Sequence, residues 1–191
     1  MSPAQLWPRM LRAARLDPQF YEEVEADANS IGQALLVVVL VSLARGIGDG
    51  ITAVMKGGPE GLVLFVSGLA WGVIGYLIIW FIFSLLCFWL GTSLFKGPQT
   101  KTNLGELLRT LGFAFSPGVL NVLSFIPVVG QAIPFATFIW ALIASVIATR
   151  QACDFTTGKA VGTVVVAAIV PLIIMILLAM LITGSFIAAS K

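Results

Sequence analysis

The sequence predicts an all-α, polytopic integral membrane protein: five transmembrane helices behind a short cytoplasmic N-terminal segment that is amphipathic and then acidic. Composition is the first reason. Of 191 residues, 59% are hydrophobic and 10% charged, and the mean hydropathy is +1.02. A soluble domain carries about 25% charged residues, so this chain has too little polar surface to cover a globule in water. The second reason is that the apolar residues divide into five stretches: Ile31–Val54, Gly61–Phe95, Leu104–Ile126, Ile133–Thr149 and Val161–Ile187. The third is that the basic residues fall on alternate connections between those stretches.

The N-terminal segment, 1–29, comes first. It lacks the apolar core of a secretory signal, so the chain is expected to enter the membrane with a span that stays. In PRMLRAARLD, Met10, Leu11 and Ala14 share one helical face and Arg9, Arg12 and Arg15 the other. With Leu6 and Trp7 ahead of it, this is the pattern of an interfacial helix on anionic lipid, and Pro8 belongs in its first turn. Asp17-Pro18 then starts a second helix, with a capping side chain followed by proline at the first helical position. That helix is acidic: five of the chain's nine carboxylates are Asp17, Glu22, Glu23, Glu25 and Asp27. Tyr21, Glu22, Glu25 and Asp27 are the candidate interaction surface. They form either a clasp answering the basic residues of the same membrane side or a docking or divalent-cation surface. Ser30 with Gln33 three residues on is a capping box for the first span.

The membrane part is 30–191. A helix needs about 20 residues to cross the hydrocarbon, so the second stretch is long for one crossing and the third and fourth lie near the lower limit. Arg9, Arg12, Arg15, Lys96, Lys101, Arg109, Arg150 and Lys159 fall on one side if five helices cross; Lys56, Lys191 and Arg45 fall on the other. That asymmetry predicts a cytoplasmic N-terminus and an external C-terminus; the membrane expected is a cell inner membrane.

Polar residues at membrane depth are functional candidates by default. Arg45 and Asp49, four apart, can pair near the outer end of the first span, where long side chains reach the interface. Gly68 and Gly72 make a small-xxx-small pair, with Gly75 beyond, that fits either a seam within the molecule or a dimer face. Asn103 with Glu106 can cap the third stretch, which also carries Arg109. Ser116-Pro117-Gly118 should then break or kink it, with Asn121 beyond the break and Pro127, Gly130 and Pro134 framing a turn. Such a break either lines a cavity or packs one helix around another.

Other chemistry is excluded or unsupported. There is no histidine, hence no commonest general base or zinc ligand. The net charge of +2 and the lack of a Lys/Arg run speak against nucleic acid. Cys87 lies in an apolar run and Cys153 in a loop, so neither disulfide, metal cluster nor cofactor is expected.

The combination YEEVEAD…GQALLVVVLVSLARGI, GELLRTLGFAFSPGVLNVLSFIPVVGQAIPFATFIWALIASVIATRQACDF and TTGKAV resembles bacterial and archaeal members of the Yip (Ypt-interacting-protein) domain family, over roughly Trp7 to Leu181. Its most telling pieces are Arg109 to Pro117, the Pro127-to-Gly130 turn, Trp140 and the ATRQACDF exit. The resemblance implies five membrane helices, a cytoplasmic N-terminus and a class without enzymatic activity. Eukaryotic relatives are associated with Rab-type GTPases, a partnership that roughly thirty N-terminal residues do not support. The expectation is therefore a non-enzymatic membrane protein whose partners are lipids, a second copy or another membrane protein. The alternative is a small channel, transporter or lipid-moving protein using the broken third span.

Overall fold

A computed structural model describes residues 5–57, 61–170 and 173, and the described residues form helices without a strand. The order is α1 (Leu6–Ala14), α2 (Pro18–Ala26), a 3-10 turn (Ala28–Ser30), α3 (Ile31–Gly57), α4 (Gly61–Thr92), α5 (Leu104–Ala114), a 3-10 segment (Ser116–Phe125), α6 (Val129–Ala152) and α7 (Thr157–Val170). Four helical stretches are long and apolar enough to span a membrane: Ala28–Met55, Gly68–Thr92, Leu104–Phe125 and Val129–Ala152. The expectation of five is thus met for four. The fifth stretch, Val161–Ile187, is described only through Val170 and at Ile173, and the remainder lies outside the described residues.

Local chemistry sets the helix ends. Asp17 caps α2 by accepting from the amides of Gln19 and Phe20, with Pro18 in the first turn. Asn103 and Glu106 form the reciprocal capping box of α5. At the exit of α1, the Asp17 amide bonds to the Arg12 carbonyl and the Leu16 amide to that of Ala13, with Leu16 at φ 64°. At the exit of α6, Phe155 bonds to Arg150 and Asp154 to Gln151, with Asp154 at φ 52°. Both are Schellman endings in which a residue other than glycine takes the left-handed position.

The centre of the bundle is α5, not the longest helices. Leu107, Leu111, Phe113 and Ala114 are fully buried, and around them pack Phe20, Tyr21 and Val24 of α2, Ala34, Val37 and Val41 of α3, and Ala144 and Ala148 of α6. α4 is different: Val63, Trp71, Ile78 and Trp89 face outward. An outward apolar surface of this size is what hydrocarbon, not water, would cover. Because Met10 and Ala13 of α1 and Phe20, Tyr21 and Val24 of α2 belong to the same core as the spans, both helices are part of the bundle.

The third span changes helix type where the sequence predicts a break. The α-helix stops at Ala114, and the ten residues from Ser116 continue as a 3-10 helix with Pro117 in its first turn. At about 2.0 Å rise per residue, ten residues cover about 20 Å, so a stretch close to the lower length limit still reaches the far side. The narrower 3-10 helix also lies close to α3, where Gly48 abuts the carbonyl oxygens of Asn121 and Val122 and Gly118 abuts Val41. α6 begins at Val129, earlier than the predicted Ile133, and holds Pro134 within its first turns. The connection is a tight γ-turn: Val128 sits at φ 68°, ψ −58°, and the Val129 amide bonds to the Pro127 carbonyl.

Candidate functional site

One end of the bundle collects most of the chain's charge. Arg109, buried in α5, sends Nε to the Val24 carbonyl at 3.2 Å and Nη2 to the Glu25 carbonyl. These are orphan acceptors at the C-terminus of α2, where a cation is favourable. From α6, Gln151 donates to the Glu22 carboxylate at 2.7 Å. Lys159 of α7 donates to the Lys96 carbonyl at 3.2 Å, drawing in the loop after α4. Between these segments is a groove of about 260 Å³ lined by Glu22, Glu25, Gln99, Arg150, Gln151 and Asp154, with Phe155.

Electrostatics follow from the packing. The Glu25 carboxyl is pushed up to about 7, first by burial, then by the nearby carboxylates of Glu106, Asp154 and Glu22. Arg12 lies between Asp17 (2.8 Å) and Glu23 (2.7 Å) and holds both below the usual carboxyl range. The Ser30 hydroxyl, donating at 2.6 Å, does the same for Asp27. Tyr21 is fully buried, its hydroxyl donating to the Ala13 carbonyl at 3.2 Å, and desolvation raises its pKa. Cys153, at the end of α6, is also buried, which pushes its thiol up to about 12.

The faces predicted for α1 need correction. Met10 and Ala13 face the bundle, whereas Leu11 and Trp7 point outward. Arg9 is on the inner side, bonded to Ser30 at 2.8 Å and to Gln33, and lies over the Phe20 and Phe113 rings. Two aromatic faces and two oxygens satisfy this guanidinium better than a position opposite Met10 would.

The intramembrane polar residues occupy separate places. Arg45 and Asp49 pair at 2.5 Å toward the other end of the bundle, and Ser124 donates to the same carboxylate at 3.3 Å. Asn121 is buried and accepts from the Thr137 hydroxyl of α6 at 2.8 Å. The segment after Pro117 therefore packs against α3 and α6, with its amide satisfied across helices.

Comparison with known proteins agrees with this architecture. The family model described as Yip1 domain matches residues 15–182. The chain belongs to the Yip1 domain family. No curated protein and no solved structure matches it. Membership and the four apolar helices make it an integral membrane protein. α2 and all four spans lie inside the Yip1 match, while Leu6–Ala14 precedes it.

Of the residues singled out in the Yip1 sequence, Tyr21, Glu22, Glu25 and Arg109 meet at one end, with Asp27 one helix exit away. Arg45, Asp49 and Asn121 lie toward the opposite end. Pro117 directs the change of helix type. Among the described residues Gly68, Gly72 and Gly75 form no seam: a Cβ at any of them would meet nothing within 4 Å. The close approaches fall instead on Gly46 against Leu69, Gly50 against Phe65 and Gly112 against Ala34. Three contacts were not readable in the sequence: those of Thr137, of Gln151 within the ATRQACDF exit, and of the Trp140 indole, which donates to the Ala14 carbonyl at 2.8 Å. Each comes from a single uncharged donor, so no local signal gives its partner.

Proposed function

We propose that this Yip1 chain is a non-enzymatic membrane protein that acts by association, through the polar end built from α2, the loop after α4 and the end of α6. The observation that carries this reading is the grip of Arg109 on the carbonyls of Val24 and Glu25, joined by Gln151 on Glu22. A polar helix mounted in this way presents a preformed surface, so a partner is met without the entropic cost of ordering a free arm. The groove between Glu22 and Arg150 supplies charges of both signs for that contact. The basic residues near this end, Lys96, Lys101, Arg150 and Lys159, support its placement in the cytoplasm of a cell with an inner membrane.

A photo-crosslinking residue at Gln99, in native membranes, should give discrete protein adducts. The same residue at Trp71, on the outward face of α4, should give lipid adducts. Lipid adducts alone at both positions would remove the reading. Purified protein in liposomes should pass ions and lipids no faster than empty vesicles; flux above that level would favour a channel or lipid mover.

A further inference from the structure

Between α3 and α4 lies an open cleft of about 470 Å³ whose lining includes Ser42, Arg45 and Asp49 on one wall and Gly68, Gly72 and Tyr76 on the other. That volume falls in the range of roughly 300–1,000 Å³ typical of small-molecule sites. Its depth can be read from its neighbours. Gly46 abuts Leu69 and Gly50 abuts Phe65, so Arg45 and Asp49 stand about one to two turns inside the start of α4 at Gly61. Asp49 also meets Ser124, one residue before the third span ends at Phe125. The 32 residues of α4 exceed what the roughly 30 Å of hydrocarbon needs, so a pair one to two turns from its start and level with the end of the third span stands at the depth of lipid headgroups.

The pair is only partly used. Among the described residues Arg45 makes one hydrogen bond, from Nε to Asp49 Oδ2, which leaves its two terminal amino groups for another acceptor. The Asp49 carboxylate is half exposed, at 49%. Toward the membrane interior the lining passes to Ser42, Gly72 and Tyr76, and Gly68 and Gly72 leave the cleft open, since among the described residues nothing lies within 4 Å of where their side chains would start.

We propose that this cleft binds one zwitterionic aminophospholipid, its phosphate on the free amino groups of Arg45 and its primary ammonium on Asp49. The upper part of one acyl chain runs over Gly72 toward Tyr76, and the remainder stays in the bilayer. Charge complementarity selects this class. A purely anionic headgroup satisfies Arg45 and is repelled by Asp49, while a quaternary ammonium has no N–H to donate to the carboxylate.

The test is native mass spectrometry of delipidated full-length protein incubated with equimolar phosphatidylethanolamine, phosphatidylcholine and phosphatidylglycerol. The ethanolamine lipid should be retained over each of the others by roughly tenfold, the worth of one charge-assisted hydrogen bond. Arg45→Gln should abolish that preference, and Asp49→Asn should shift it toward phosphatidylglycerol. Gly72→Leu fills open space, so it should keep the thermal stability of the parent while losing the adduct. Equal retention of the three lipids, preference for phosphatidylglycerol in the parent, or undiminished adduct in Gly72→Leu would overturn the proposal. So would a dimer that Gly72→Leu disperses, since the occupant would then be a second copy.

Discussion

Arg109 and Val24 are 85 positions apart, yet the guanidinium of one donates to the carbonyl of the other at 3.2 Å and ends the helix that carries it. The second donor reaches the Glu25 carbonyl. Arg109→Ala should therefore release α2 as well as remove a buried cation, costing about 2–4 kcal/mol. Arg109→Lys should recover only part of this, since an ammonium lacks the planar fork. Thermal unfolding in detergent checks the magnitude, and faster proteolysis near Arg15 checks that α2 is what detaches.

Glu25 makes stability depend on pH. Its carboxyl sits at about 7 against an ordinary 4.5, so the folded state holds this proton more tightly than the unfolded chain. The contribution is complete below about pH 4.5 and is lost as pH rises through about 7. Asp17, Glu23 and Asp27, whose pKa values are lowered, act in the opposite sense at more acid pH. Glu25→Gln should match the parent at pH 5 and exceed it at pH 8 by about 1 kcal/mol after allowance for solvent screening. Melting curves at the two pH values decide this.

Glycines should separate into two classes. Gly48→Ala would drive a methyl into the backbone of the 3-10 segment, and Gly112→Ala would place one 2.7 Å from the Ala34 side chain. Each should cost about 1–3 kcal/mol or more. Gly68→Ala meets nothing among the described residues and should be neutral or stabilising by up to about 1 kcal/mol through helix propensity. A midpoint comparison of the three variants tests the order.

The bond between Thr137 and Asn121 should show coupling of about 0.6–1.7 kcal/mol in a double-mutant cycle of Asn121→Ala and Thr137→Val, the range found for hydrogen bonds between membrane helices. Coupling near zero, measured by unfolding in detergent, would mean that the buried amide is satisfied in another way.

Much of the local structure was legible in advance. Asp17-Pro18 started α2 and Asn103 with Glu106 started α5, because a cap is written within four residues. Pro117 marked the end of regular α-helix, although a continuing 3-10 helix was not readable, since that choice depends on how closely α3 can approach. Gly68 and Gly72 carried the familiar spacing of a packing seam, whereas α3 meets α4 through Gly46 and Gly50. Spacing shows that a close approach is possible; only the neighbour's position shows where it occurs.

By itself the sequence determined the solvent of this protein, the helical character of its parts and several of its helix ends. Composition sums over the whole chain and capping acts over a few residues, so neither needs the fold. The tertiary structure alone decided that Arg109 holds α2, that Trp140 holds Ala14 from 126 positions away, and that Asp49 faces a cleft. Those relationships are hydrogen bonds and open spaces between distant segments. They exist only once packing around α5 has brought the segments together, and no periodicity along the chain records them.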